Sequence, residues 1–173
     1  MRLFKSKQQG FSLLELLLVV AVGAILLLAG LAVYRNVTDN AKVTETIRLL
    51  NVTKQETQRL FQGEGSYPAQ NLNAVLIDAK AFPTSALAGN QVRTPYNGNV
   101  RVTGDGRTFV IRMDAIPESS CIKIGQTFAS DDADFVSLSI RGRVIAPGAN
   151  GVYEVLDLQN ACNGDSRMDW EFY

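Results

Sequence analysis

Glu15 is the one charged side chain in the apolar run from Phe11 to Tyr34, FSLLELLLVVAVGAILLLAGLAVY. A carboxylate inside a membrane-length helix costs roughly 2.5–3.5 kcal/mol at mid-bilayer and less near the edge, so it marks a functional site and requires a partner. The other residues capable of chemistry are few. Cys121 and Cys162 can close a disulfide. Ser119 and Ser120 beside Cys121 would need a base to act as nucleophiles, but the chain contains no histidine. Imidazole general-base schemes and imidazole metal sites are thereby excluded. Asp131, Asp132 and Asp134 cluster as calcium-binding oxygens do, yet they lack the spacing and the glycine of an EF-hand loop, and a solvated loop accounts for them. No catalytic set is expected, and no cofactor or metal.

The element that positions Glu15 is a helix. At about 1.5 Å per residue the apolar run is long enough to cross a ~30 Å hydrocarbon core. The segment before it, MRLFKSKQQG, carries Arg2, Lys5 and Lys7 and no acid. The positive-inside bias holds that end in the cytoplasm and delivers the remainder to the far side. A cleavable secretory signal is one alternative, with Gly30-Leu31-Ala32 as a small-x-small site, but its apolar region would be about 7–15 residues long. A plain anchor fits the length and leaves Glu15 unexplained.

From Val33 to Gln62 there is neither proline nor glycine. Val33, Val37, Ala41, Val43, Ile47, Leu50, Leu60 and Phe61 recur at roughly helical spacing among charges of mixed sign. One continuous helix is predicted from Phe11 to about Gln62, apolar all round in its first half and amphipathic in its second. Asn36 and Asn51 each open an Asn-Val-Thr acceptor sequence for glycosylation, but on a helix both are ordinary surface residues. Gly63-Glu64-Gly65-Ser66-Tyr67-Pro68 ends the helix.

Residues 72–82 read as a short second helix stopped by Pro83. Residues 99–103 and 108–113 form a hairpin around Gly104-Asp105-Gly106. A third helix is expected over 117–128, and a strand over 135–140. Residues 143–146 and 152–156 are candidates for two further strands around Pro147-Gly148-Ala149-Asn150-Gly151, but each run is too short for its periodicity to decide. Met168, Trp170 and Phe172 alternate with polar neighbours as a half-buried last strand. The class is α+β. In an exported, oxidising compartment the even cysteine pair reads as a disulfide, tying the third helix to the segment before the last strand.

Gly10-Phe11-Ser12-Leu13-Leu14-Glu15, after a short basic leader and opening a long apolar helix, resembles the start of type IV pilins and pseudopilins. The resemblance implies a type III prepilin leader cut between Gly10 and Phe11 by a prepilin peptidase, with Phe11 then N-methylated. It also gives Glu15 a partner, the amine of a neighbouring subunit's Phe11. A cation and a carboxylate attract far more strongly in an apolar bundle than in water, and such a pair can set subunit register. The implied fold is a long helix packed on an antiparallel sheet. The implied organisation is a leader over 1–10, a membrane or filament-core helix over 11–34, its amphipathic half over 35–62, and a head over 63–173 with a disulfide-bounded carboxy-terminal region. The leader length and Phe11 are similar to the type IVa group. The wide cysteine spacing, the absence of a mid-helix proline and the sheet-forming tail after Cys162 are similar to type IVb, and the resemblance overall is type IVb-like.

The implied partners are further copies of the chain in a helical homopolymer, the prepilin peptidase, the pilus assembly machinery of the inner membrane, and the membrane itself before assembly. The implied location is the bacterial inner membrane, then an extracellular pilus serving adhesion, motility, aggregation or DNA transfer. A minor pilin, a type II secretion pseudopilin and a membrane-anchored adhesion domain that never polymerises remain open. The leader holds three of the 17 basic side chains, leaving 14 against 17 acidic ones. That mildly acidic balance gives no footprint of a nucleic-acid-binding domain.

Overall fold

A computed structural model of the protein describes residues 12–127 and 133–173. Gly10 and Phe11 of the expected cleavage site, Phe128 at the expected end of the third helix, and Asp131 and Asp132 of the acidic cluster lie outside the described residues. Helix α1, Leu13–Phe61, runs unbroken for 49 residues, as its proline-free sequence predicts. The chain divides into two units, one ending at Asp39 and one beginning at Asn40. From Leu13 to Asp39 the first unit is α1 alone.

In the second unit, α1 buries Val43, Thr46, Leu50, Thr53, Thr57 and Phe61, spaced by three, four, three, four and four residues as one helical face requires. Three of these six are threonines. Each hydroxyl donates to the carbonyl four residues back: Thr46 to Lys42 at 2.8 Å, Thr53 to Leu49 at 2.7 Å, Thr57 to Thr53 at 2.7 Å. The polar atom is sealed inside the helix, so the methyl group can face the core. Of the two apolar residues expected at the end of this face, Phe61 is buried and Leu60 is 39% exposed. The helix ends as predicted, with Gly65 in the left-handed region at φ +67°.

The sheet facing α1 has seven antiparallel strands in the order β1-β2-β3-β4-β7-β5-β6. They are β1 Leu87–Ala88, β2 Gln91–Arg93, β3 Asn99–Asp105, β4 Thr108–Ile116, β5 Phe135–Ile140, β6 Arg143–Ile145 and β7 Ser166–Phe172. The β3–β4 hairpin and β5 fall where the sequence places them. β7, last in the chain, lies between β4 and β5. Ile111 pairs with Trp170 and Trp170 with Leu138, while Met113 pairs with Met168 and Met168 with Ile140. These side chains are at most 1% exposed. Burying each contributes about 1.5–3 kcal/mol, enough to hold the two hairpins on one central strand.

The free edge of β3 is shared. β2 pairs with its start, while isolated bridges Asn71↔Thr103 and Tyr67↔Gly106 cover its end. The gap between them is filled by Asn73, whose Nδ2 donates to the Val100 carbonyl and whose Oδ1 accepts from the Val102 amide, both at 2.7 Å. One side-chain amide thus replaces a missing strand residue. Gly104 lets the edge segment lie close: a Cβ there would stand 2.3 Å from the Pro68 carbonyl oxygen.

Two helices are shorter than expected, and one candidate strand is replaced by a helix. Helix α2 spans Asn73–Asp78 and stops well short of Phe82. Lys80 turns left-handed at φ 56°, and the Lys80 and Ala81 amides donate back to the Ile77 and Leu76 carbonyls, a Schellman closure. Helix α3, Glu118–Gly125, follows Pro117 as expected but is shorter, burying Cys121 and Ile124 while Ile122 is half-buried. Residues 152–156 are not a strand: Val155–Ala161 forms helix α4, which buries Leu158 and Ala161 one turn apart. Leu158 seats on Gly125 of α3, where a Cβ would come within 2.7 Å of its Cδ2. Cys121 and Cys162 are bonded, with Cα atoms 5.9 Å apart, joining α3 to the end of α4 just before β7.

Candidate assembly surface

Glu15 sits in the first turn of α1, where its own amide and that of Leu16 donate to the Ser12 carbonyl at 3.0 and 3.1 Å. Its side chain is exposed and forms no ion pair among the described residues. Large apolar side chains from Leu13 to Val37 are between 49% and 76% exposed. A soluble domain rarely shows so much apolar surface, and this helix is long and apolar enough to cross a membrane. Hydrocarbon or other apolar helices can cover that surface, but neither supplies a cation to Glu15. The arrangement therefore accepts a partner that brings apolar area and a positive charge together.

The second unit is closed around its core. Lys54, only 8% exposed, reaches from α1 to lie 5.0 Å from the Phe172 ring centroid and 3.9 Å from the Asp134 carboxylate. Gln58 Nε2 donates to the Tyr173 carbonyl at 3.0 Å. These contacts fix the end of β7 and the start of β5 to α1. An aromatic series, Phe61, Tyr67, Phe109, Phe172, Phe135 and Tyr153, packs with centroids 4.8 to 6.4 Å apart. Burial pushes the Tyr67 phenol above its ordinary value, with the Asp134 charge adding to the rise. Burial also raises Tyr153, while a backbone hydrogen bond at Leu138 acts the other way. On the sheet's opposite face, the hydrogen bond to Asp169 holds the Arg112 guanidinium above its usual range, against the effect of burial.

Among the described residues no group of three histidine, cysteine, aspartate or glutamate side chains could hold a metal. Ser120, beside Cys121, is buried and accepts a 2.9 Å hydrogen bond from the Tyr96 hydroxyl, which makes it part of the packing. Asp134 of the acidic cluster serves Lys54. The sequence reading missed the three buried threonines and Asn73. The threonines repeat with the period of Val43, Leu50 and Phe61, which was the available signal; Asn73 acts through a non-local gap that no local pattern encodes.

A long α1 whose apolar half is bare, an antiparallel head and a disulfide across its carboxy-terminal region define the type IV pilin fold. The same architecture is found in a solved type IVb pilin from Salmonella typhi, with TM-score 0.59 at 14% identity over 72% of this chain and 95% of that one. TcpA, a type IV pilin from Vibrio cholerae El Tor biotype, gives TM-score 0.52 at 14% identity over 76% and 98%. The chain belongs to the PilS N-terminal family, whose sequence model matches residues 38–169. Residues 5–31 match the prokaryotic N-terminal methylation motif. Among relatives by sequence, a type IV major pilin protein of Neisseria gonorrhoeae is 33% identical over 86 residues, half of each chain. A fimbrial protein of Neisseria meningitidis serogroup A is 34% identical over 96 residues, 56% of this chain and 55% of its own. The chain spans about half the length of the curated relatives it matches.

Proposed function

We propose that the chain is a structural subunit of a type IV pilus. The observation that carries this reading is the overlap of a methylation motif over residues 5–31 with a bare apolar helix surface holding the carboxylate of Glu15, which has no ion-pair partner among the described residues. Residues 1–10 are a leader removed by a prepilin peptidase between Gly10 and Phe11, and Phe11 is then N-methylated. Residues 11–34 hold the subunit in the bacterial inner membrane until assembly machinery there moves it into an extracellular filament. Residues 35–62 carry the head, residues 63–173, on the amphipathic half of α1. Lipid and filament core hide the same apolar surface in turn. About twenty apolar side chains at 1.5–3 kcal/mol each explain why the polymer would not dissolve.

In this scheme Glu15 pairs with the Phe11 amine of a neighbouring copy, which fixes the axial step of each added subunit. The test is Glu15→Ala in the native host. The variant is expected to insert and be processed normally while sheared filaments fall about tenfold or more, since an amine left unpaired in the core opposes each addition. Filament yield equal to the wild type contradicts the pairing.

A further inference from the structure

The sheet face opposite the core carries arginines on three neighbouring strands, Arg101 on β3, Arg112 on β4 and Arg167 on β7. Arg101 and Arg112 are direct cross-strand partners, a position in which like charges repel. Asp169, opposite Arg112 on β7, accepts from Arg112 Nε at 2.7 Å, and its other oxygen lies 3.5 Å from Arg167 Nε. One carboxylate thus serves two guanidinium groups, and Arg101 forms no ion pair among the described residues.

Arg101 borders two concavities. The larger, about 500 Å³, runs along β3 and β4 with Arg112 and Thr103 in its lining and Asp105 near one end. The smaller, about 240 Å³, lies where β2 gives way to the Asn71 segment and is lined by the amides of Asn71, Asn90, Gln91 and Asn99. Asn71 Oδ1 is occupied by the Asn73 amide and Gln91 Oε1 by Arg93, but the NH₂ groups of both make no protein hydrogen bond among the described residues. The whole side-chain amides of Asn90 and Asn99 are likewise unengaged there.

We propose that this face binds an acidic polysaccharide in which carboxylates alternate with neutral, hydroxyl-rich sugars. A guanidinium matches a carboxylate in a bidentate pair, and Arg101, with Arg112 beside it, is placed to receive one. Asn90 and Asn99 each offer a donor and an acceptor side by side, as a sugar hydroxyl requires, and Asn71 and Gln91 each add a free NH₂ donor. Asp105 limits the negative charge that the larger concavity accepts, which favours spaced carboxylates over a polyanion. Neither concavity has an aromatic lining, so bases of a nucleic acid would find no surface to stack on. The proposal does not depend on polymerisation.

The test titrates the full chain in detergent with hyaluronate oligosaccharides, which alternate uronate and neutral sugar, against neutral dextran and duplex DNA. Saturable binding to hyaluronate and none to dextran is expected. Arg101→Gln weakens it by about tenfold or more, the loss of one charge-assisted hydrogen bond. Arg48→Gln, the same charge change on an exposed turn of α1, leaves it unaltered. Arg101→Gln must keep the wild-type Trp170 emission, which its exposed position permits. The proposal is overturned by absent hyaluronate binding, by equal losses in Arg101→Gln and Arg48→Gln, or by tighter binding to DNA.

Discussion

Replacing both Cys121 and Cys162 with alanine opens a bridge whose ends are 41 residues apart in sequence. The chain-entropy model gives about 4 kcal/mol for a loop of that size. Both residues are fully buried, so the lost sulfur packing adds on the order of 1 kcal/mol. The native head is expected to survive, because Leu158 still seats on Gly125 and the core strands β4, β7 and β5 lie outside the α3–α4 contact. For a unit of this size the combined loss of about 5 kcal/mol corresponds to a fall of roughly 15–20 °C in Tm. The assay is thermal melting of the full chain in detergent, followed by emission of Trp170, the chain's one tryptophan, buried between Ile111 and Leu138. A shift under about 3 °C would refute the loop-entropy reasoning. Loss of Trp170 burial at room temperature would refute the claim that the core stands without the bridge.

The threonine face of α1 gives a second expectation. Thr53→Val removes a hydroxyl whose acceptor, the Leu49 carbonyl, keeps its helical partner, so stability changes by less than about 1 kcal/mol, whereas Thr53→Ser loses a buried methyl and costs about 1 kcal/mol in the same melts. A third concerns alkaline pH. Tyr153 has its pKa raised above the ordinary 10.0, so the folded state holds the proton more tightly than the unfolded chain. Its contribution is complete below pH 10 and is lost as pH rises from there through the folded value. Denaturant titrations should therefore show a shallower fall above pH 10 for Tyr153→Phe than for the wild type, and parallel curves would contradict this.

The parts of the fold that the sequence made legible are those where a local period is long. Fifty residues without proline announce α1, and the alternation of Met168, Trp170 and Phe172 announces β7. What stayed hidden depends on non-local partners. Residues 152–156 are too few to separate a strand from a helix, and the deciding residues, Leu158 and Ala161, lie beyond them, facing Gly125. β2 is three residues long and pairs on the edge that β3 offers, and β1, two residues long, pairs in turn on β2. Thr46, Thr53 and Thr57 look polar in sequence; they are core residues because they share the face of Val43, Leu50 and Phe61, and back-bonding only satisfies their hydroxyls there. For the assembly surface, Glu15 was legible because a charge in an apolar run is anomalous by itself. The Arg101 face was not, because its meaning comes from the cross-strand register.

Intact mass and N-terminal sequencing of the protein from its native host test the central claim most directly. The account predicts a chain beginning at Phe11 with one added methyl group. A chain beginning near Val33, or an uncut start at Met1, would contradict it, making the apolar helix a cleaved signal or a plain anchor.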